Sequence, residues 1–256
     1  MNAGVLRIGV VYPTVLGTYG DGGNAMVLQR RAELRGIPAE IVPIELGQVI
    51  PSDLDIYTMG GGEDKAQALA AEHLAGDPGL ARAAERGAPI LAICASMQLL
   101  GNLYTDASGK EIPGLGLLDI TTTPRGSRAI GELVTKPLLQ GLTEPLVGFE
   151  NHGGGTCLGS DASPLGMVLV GVGNGCTKNP GTQNGFEGAV QGSIIGTYMH
   201  GPVLARNPEL ADFLLSRVAG ELTPLELGSV GRLRRERLDA AGLTSNTENQ
   251  EPTDRR

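Results

Sequence analysis

The chain is 256 residues long, carries 40 glycines and no tryptophan, and has a formal net charge of -8 with an isoelectric point near 5.0. That length suits one large α/β domain with a core of Ala, Val, Leu and Ile, and the composition is unlike that of a coiled coil or a disordered chain. The acidic balance excludes a general nucleic-acid surface, and with no apolar run near ~18 residues neither a membrane-spanning helix nor a signal peptide is expected.

The first hundred residues alternate apolar runs with amphipathic segments, the pattern of parallel strands joined by crossover helices. A strand over residues 5–12 leads through a glycine-rich loop, Gly17 to Asn24, into a helix at about 25–35 that Gly36 closes in a left-handed cap. Strands follow at Ala39 to Leu46 and at Leu54 to Met59, the latter running into Gly60-Gly61-Gly62-Glu63-Asp64. An Ala-rich helix comes next, with Asp64 and Gln67 spaced as a capping box. The fourth strand starts near Pro89 and ends at Cys94, where the small pair Ala95-Ser96 permits a sharp turn into an apolar-patterned helix.

From about 114 to 200 the apolar segments shorten: Leu115 to Thr122, Ala129 to Thr135, Leu146 to Phe149, Gly166 to Val172, Gly188 to Gln191 and Ser193 to Met199. Glycines separate them, which predicts a smaller, partly antiparallel sheet beside the parallel one. Asn207-Pro208-Glu209 opens a last amphipathic helix through about Val218, with proline at the first helical position. We therefore expect one α/β domain over 1–220, a helical extension over 221–243 and a polar, disordered tail over 244–256. The basic cluster Arg232 to Arg237 reads as a solvated helix face, and there is no internal repeat.

A cysteine between strand and helix faces backbone N–H groups and the positive helix end, which favour a reactive thiolate. On this stretch alone, packing as a small buried hydrophobe remains an equal reading of Cys94. A cysteine nucleophile needs a base, and three histidines are present. His73 lies in a helix pattern and reads as an ordinary surface residue; His152 sits in Phe149 to Gly155, read as a glycine-rich loop bordering a site. His200 ends an apolar strand, where an open α/β sheet displays catalytic groups. The amides of Gly60-Gly61-Gly62 emerge at the same sheet edge and suit an oxyanion, as does the Ala95 N–H; the alternative is a tight turn needing positive φ. Cys94, Cys157 and Cys176 are odd in number and not closely spaced, so unpaired thiols in a reducing, cytoplasmic compartment are expected. His152, Cys157 and Cys176 lack the short paired spacings of structural zinc, and no metal site is expected.

Taken together, the Gly60-Gly61-Gly62 turn, Cys94 with Gln98 and Gly101 behind it, and Gly196-Thr197-Tyr198-Met199-His200-Gly201 resemble a class I glutamine amidotransferase of the cobyric acid synthase-like branch. Tyr19-Gly20-Asp21-Gly22-Gly23-Asn24 and Phe149-Glu150-Asn151-His152-Gly153-Gly154 look most like the GatD-type glutaminase subunits of lipid II isoglutaminyl synthase. The resemblance implies a three-layer α/β fold, with a central mostly parallel sheet flanked by helices and a smaller partly antiparallel extension. It implies that Cys94 attacks the side-chain amide of L-glutamine, that the Gly61 and Ala95 amides hold the oxyanion, and that His200 protonates the departing ammonia. Gln98 would contact the substrate, or else be a helix-surface amide. Arg128 would bind the glutamine carboxylate through its planar fork, with Arg125 its competitor. The implied partner is a Mur-ligase-like subunit of the MurT type, in a heterodimer. It would use the ammonia to amidate the D-glutamate α-carboxylate of lipid II. No G-x-x-x-x-G-K-[ST] loop is present, so no cofactor is expected in this chain, and ATP and Mg are expected on the partner.

Two departures from the family pattern stand out. Ala95 and Ser96 replace the glycines usual around the nucleophile, and Pro202 stands where many relatives place the glutamate that orients the histidine. A carboxylate from the partner, or a displaced acid such as Glu150, is expected to complete the site. The competing readings are a subunit serving cobyrinate or another small-molecule acceptor, and a non-catalytic regulatory subunit.

Overall fold

The computed structural model describes residues 4–106, 108–176, 185–225 and 227–243. Two compact units divide the chain, Met1–Leu225 and Glu226–Arg256. In the first, six strands form one sheet in the order β11-β12-β4-β3-β1-β2. They are β1 (Leu6–Val11), β2 (Ala39–Ile44), β3 (Ile56–Met59), β4 (Ile90–Ile93), β11 (Ala189–Gln191) and β12 (Ile194–Thr197). All neighbours are parallel except β11 against β12.

Alternation along the central strands sends successive side chains to opposite faces. In β4, Ile90 and Ala92 join the cluster that holds Leu74, Leu80 and Leu100, from the helices α2 (Asp64–Leu74), α3 (Gly79–Glu85) and α4 (Ala95–Leu100). Leu91 and Ile93 join the opposite cluster, with Leu28, Leu204 and Leu214 from α1 (Gly23–Glu33), α5 (Val203–Arg206) and α6 (Pro208–Ala219). This is why β3, β4 and β12 read as unbroken apolar runs: each is buried on both faces. Arg31 of α1 and Arg35, just past its end, both bind Asp212 of α6, with Nη2–Oδ2 distances of 2.6 and 2.8 Å. A Cβ at Gly196 would stand 2.4 Å from Met97 Cγ, so the glycine lets α4 lie close on β12.

The second sheet runs β10-β9-β7-β5-β6, with β8 paired to β7. Its strands are β5 (Leu103–Thr105), β6 (Glu111–Pro113), β7 (Ile120–Pro137), β8 (Leu146–Leu158), β9 (Gly166–Val170) and β10 (Phe186–Glu187). The β7–β8 ladder slips register between Pro124 and Ala129, and that break carries Arg125 and Arg128.

Several expectations are corrected here. The single Ala-rich helix is two helices, α2 and α3, because Asp77-Pro78 interrupts the pattern. No capping box forms: Glu63 is the N-cap of α2 without a side-chain cap bond, and the Gln67 side chain reaches Gln98 instead. The glycine-rich stretch Phe149 to Gly155 is not a loop but part of β8, its glycines held extended by pairing with β7. Cys157 and Cys176 are not free thiols. They form a disulfide, leaving Cys94 as the free cysteine. Their separation of 19 residues conceals the pairing in the sequence, because the chain beyond β9 returns beside the end of β8 and brings the Cα atoms to 4.9 Å.

In the second unit, α7 (Gly228–Ala240) carries the arginine cluster, its side chains at least partly exposed and Arg232 facing Glu236. The tail expected over 244–256 lies outside the described residues. No helix of the described residues is long and apolar enough to cross a membrane.

The disulfide is checked by thiol titration of the denatured, unreduced protein, which should show one of the three cysteines reactive and all three after reduction. Cys157→Ser should lower Tm by several degrees, as expected for releasing a loop closure of about 3 kcal/mol. Three reactive thiols before reduction would refute the pairing.

Candidate active site

Cys94 stands between β4 and α4 with φ 52° and ψ -107°, outside the conformations a side-chain-bearing residue prefers. Two hydrogen bonds, one at Cys94 itself and one just after it, hold it there. Its N–H donates to the Thr197 carbonyl at 2.7 Å, and the buried Ser96 hydroxyl donates to the Gly60 carbonyl at 2.5 Å. The strand therefore cannot run straight into the helix, and the thiol is lifted onto the sheet edge, half-buried at the floor of a cleft of about 390 Å³. The Ala95 N–H is the first helical amide of α4, has no intrahelical acceptor and adjoins the sulfur.

β12 lies beside β4, so the chain leaving Thr197 brings His200 to the same edge. His200 is 1% exposed, and its Nδ1 lies 2.9 Å from Oδ2 of Asp21, itself 2% exposed. A nitrogen facing a carboxylate carries the proton, which assigns the tautomer and leaves Nε2 toward Cys94 without a hydrogen-bond partner among the described residues. Gly61 shows how close these groups are. A Cβ there would stand 2.7 Å from His200 Cε1, 3.3 Å from Asp21 Oδ2 and 3.4 Å from Cys94 Cβ, so only glycine fits between them.

Burial works to lower the His200 pKa, but the Asp21 hydrogen bond and the adjacent Cys94 sulfur outweigh it and push the value up to about 9. Tyr19 packs its ring edge-on to the imidazole, 4.8 Å between centroids, and receives a hydrogen bond from Asn151.

The expected orienting acid is corrected by this geometry. Glu150 is turned away: it accepts the Val172 and Gly173 amides at 2.7 and 2.9 Å and lies 3.3 Å from His152 Nε2. Asp21 occupies the place beside His200 in its stead. The Gly61 amide is likewise corrected as an oxyanion donor, because it donates to Asp21 Oδ2 at 2.9 Å.

Arg128 lines the cleft with its Nε on Asn151 Oδ1 at 2.5 Å, whereas Arg125 packs against Gly155 and Gly175, outside the cleft lining. Gln98 lines the cleft too, but both ends of its amide are engaged: Nε2 donates to Tyr198 Oη at 3.0 Å and Oε1 accepts from Gln67 at 2.9 Å. It is therefore neither a surface amide nor a free one. His152 stacks on Tyr198 at 3.6 Å, and His73 packs near Tyr12, away from the cleft lining. Sequence reasoning missed Asp21, Tyr19 and Tyr198. For Asp21 the signal was present, an acid in a glycine-rich loop after the first parallel strand.

Residues 7–208 match the CobB/CobQ-like glutamine amidotransferase domain. The chain is 39% identical over 204 residues to a Staphylococcus aureus (strain N315) protein named lipid II isoglutaminyl synthase (glutamine-hydrolyzing) subunit GatD, with 79% of each chain covered. It is 36% identical over 209 residues to the subunit of the same name in Streptococcus pneumoniae (strain ATCC BAA-255 / R6), covering 80% of this chain and 77% of that one. A crystal structure of a glutamine amidotransferase shares the fold, with a TM-score of 0.53 at 18% identity over 83% of this chain and 98% of that one.

The Asp21 contact predicts a titration. Because the folded His200 pKa of about 9 exceeds the ordinary 6.5, the stabilisation is fully present below pH 6.5 and lost as pH rises through about 9. Asp21→Asn should lower the His200 pKa, read by NMR of the ring nitrogens, and shrink that loss of stability. An unchanged titration would show that Asp21 does not hold the ring.

Proposed function

The chain belongs to the CobB/CobQ-like glutamine amidotransferase family, and on that premise we propose that it is the glutamine-hydrolysing subunit of a lipid II isoglutaminyl synthase. One observation carries the chemistry: a strained, half-exposed Cys94 beside a His200 whose outer nitrogen is fixed by Asp21 and whose inner nitrogen is unpartnered among the described residues. The identities to the two GatD subunits, each over roughly four-fifths of this chain, support lipid II as the acceptor.

In this reading the Cys94 thiol passes its proton to Nε2 of His200, making the ring an imidazolium, and the sulfur attacks the side-chain amide carbon of L-glutamine. The Ala95 N–H receives the developing oxyanion. His200 gives its Nε2 proton to the departing nitrogen, and ammonia leaves a γ-glutamyl thioester on Cys94. The ring then takes a proton from water, hydroxide adds to the thioester carbon, and glutamate leaves as the thiol recovers its proton. Asp21 holds the tautomer through both half-reactions, the role a buried acid plays in other triads. Arg128 holds the substrate carboxylate, and Gln98, held from behind by the buried Tyr198 hydroxyl, forms part of the wall against which the substrate lies.

Ammonia passes to a Mur-ligase-like partner of the MurT type, in a heterodimer, which activates the D-glutamate α-carboxylate of lipid II with ATP and Mg and converts it to D-isoglutamine. No cofactor is assigned to this chain, and the cytoplasm, where ATP is available to the partner, is its proposed compartment; the Cys157–Cys176 bond removes the free-thiol argument for it.

The test is ammonia release from L-glutamine, alone and with the Mur-ligase-like protein, ATP and lipid II. Cys94→Ala and His200→Ala should abolish release, and Asp21→Asn should reduce kcat by about 10² to 10⁴. Persistence of release in either of the first two variants would overturn the site. Turnover without lipid II amidation by the pair would redirect the proposal to another acceptor, such as a cobyrinate.

A further inference from the structure

Glu187 is a fully buried acid that the chemistry above leaves without a role. It closes β10 in the second sheet, and the chain then turns at Gly188, φ 68°, into β11 of the first. Its backbone is fixed on both sides of that turn. The Glu187 carbonyl accepts the Leu165 amide at 3.0 Å, and Gly188 exchanges two hydrogen bonds of 2.8 Å with the Asn174 side chain. A Cβ at Gly188 would stand 2.6 Å from the Gly196 carbonyl oxygen, so the turn lies close against β12.

From there the side chain crosses to the end of β12. Its Oε1 accepts the Thr197 hydroxyl at 2.7 Å and the Tyr198 amide at 2.8 Å. A hydroxyl has one proton to give, and because Glu187 takes it, the Thr197 oxygen is left to accept the Met199 amide at 3.0 Å. One carboxyl oxygen thus fixes three consecutive residues, Thr197, Tyr198 and Met199. Both halves of the candidate site hang on them: the Thr197 carbonyl receives the Cys94 N–H at 2.7 Å, and His200 follows Met199. Oε2 of Glu187 has no hydrogen-bond partner among the described residues. Burial pushes the carboxyl up to about 7 against the Tyr198 and Thr197 hydrogen bonds, with the charge of Glu150 on β8 adding to the rise. A buried acid with one oxygen unpaired destabilises a fold unless its other oxygen is needed.

We infer that Glu187 is a positioning residue for the glutaminase reaction: through Thr197, Tyr198 and Met199 it sets the place of the Cys94 sulfur relative to the His200 ring. The inference rests on the glutaminase reading and deepens it. Glu187 is outside the cleft lining, so it acts on the pairing of thiol and imidazole and not on substrate capture. Its removal therefore lowers kcat and leaves KM nearly unchanged. A glutamine at this position keeps an oxygen for the Thr197 and Tyr198 donors and matches the protonated acid in shape and charge, so it preserves the turn. A methionine is similar in volume and has no oxygen to accept either bond.

The experiment measures kcat and KM for ammonia release from L-glutamine by the full chain, together with the rate at which iodoacetamide alkylates Cys94 at neutral pH. Glu187→Met should lower kcat by about tenfold to a hundredfold with KM within about twofold. It should also slow alkylation by about threefold or more, because the thiolate loses its neighbouring imidazolium. Glu187→Gln should restore both rates to within about threefold of the parent. Thr197→Val, which removes the hydroxyl between Glu187 and the Met199 amide, should reproduce the loss of kcat at unchanged KM and decides the matter where Glu187→Met does not fold. A parent-like kcat in folded Glu187→Met or in Thr197→Val, or equal losses in Glu187→Met and Glu187→Gln, overturns the positioning role and leaves the glutaminase reading standing. Release of no ammonia by the parent overturns that reading. Alkylation slowed in Glu187→Met and restored in Glu187→Gln would then still place Glu187 in control of the thiol, and equal alkylation in all three would overturn both.

Discussion

One carboxylate oxygen, Oδ2 of Asp21, joins three segments that reach the sheet edge from different directions. It lies on the loop after β1, accepts the Gly61 amide of the turn after β3, and faces Nδ1 of His200 after β12. Each partner is buried, so water cannot substitute for any of them. Removing one member of such a pair leaves an uncompensated buried polar group, a loss of about 3–5 kcal/mol where a charge is involved. The geometry of the thiol depends on this oxygen indirectly, because the turn it fixes also gives the Gly60 carbonyl that Ser96 holds, and Ser96 lies in the first turn of α4. Oδ1 of the same residue has no partner among the described residues, so the whole hydrogen-bonding load rests on one atom.

This arrangement explains how a site can dispense with an acid two residues after its histidine. Pro202 is the N-cap of α5, with φ -49°, and a Cβ at Gly23 would meet its ring at 2.5 Å. The proline ring thus packs on the first turn of α1, and α1 follows directly from the loop that carries Asp21. The carboxylate reaches the imidazole from across the sheet edge rather than from the histidine's own segment. The tautomer requirement is the same from either direction, since it asks only for an acceptor in line with Nδ1.

The parallel half of the fold was legible because its strands are buried on both faces and its helices are amphipathic, signals that survive in a single sequence. Cys94 and His200 were legible for the same reason: a reactive side chain at the C-terminal end of a buried strand has few structural reasons to be there. The second sheet was harder to read. β7 spans what looked like two segments, because a register break at Pro124 to Ala129 resembles a loop, and the glycines of β8 resemble one too. Pairing across that ladder, a property of two distant segments, is what makes them strand. Asp21 and the Cys157–Cys176 bond were missed on the same ground: each contact joins positions whose proximity only the assembled sheets create.

The second sheet is also what turns the edge that carries Cys94 and His200 into a cleft. Arg128 and Asn151 come from the β7–β8 ladder, Thr122 and Gly154 close the wall behind Gln98, and Asn151 reaches Tyr19 on the loop that carries Asp21. Positioning therefore runs along a chain of hydrogen bonds, from α4 through Gln98 to Tyr198, through Thr156 into β8, and by Asn151 to Tyr19 on the loop that carries Asp21. Glu150 and the disulfide tie the turn after β9 to this chain of bonds, one through the Val172 and Gly173 amides and the other through Cys176. A carboxylate engaged in that way cannot also orient His200. The distribution of these acids follows from geometry: Glu150 holds the turn after β9, and Asp21 holds the ring.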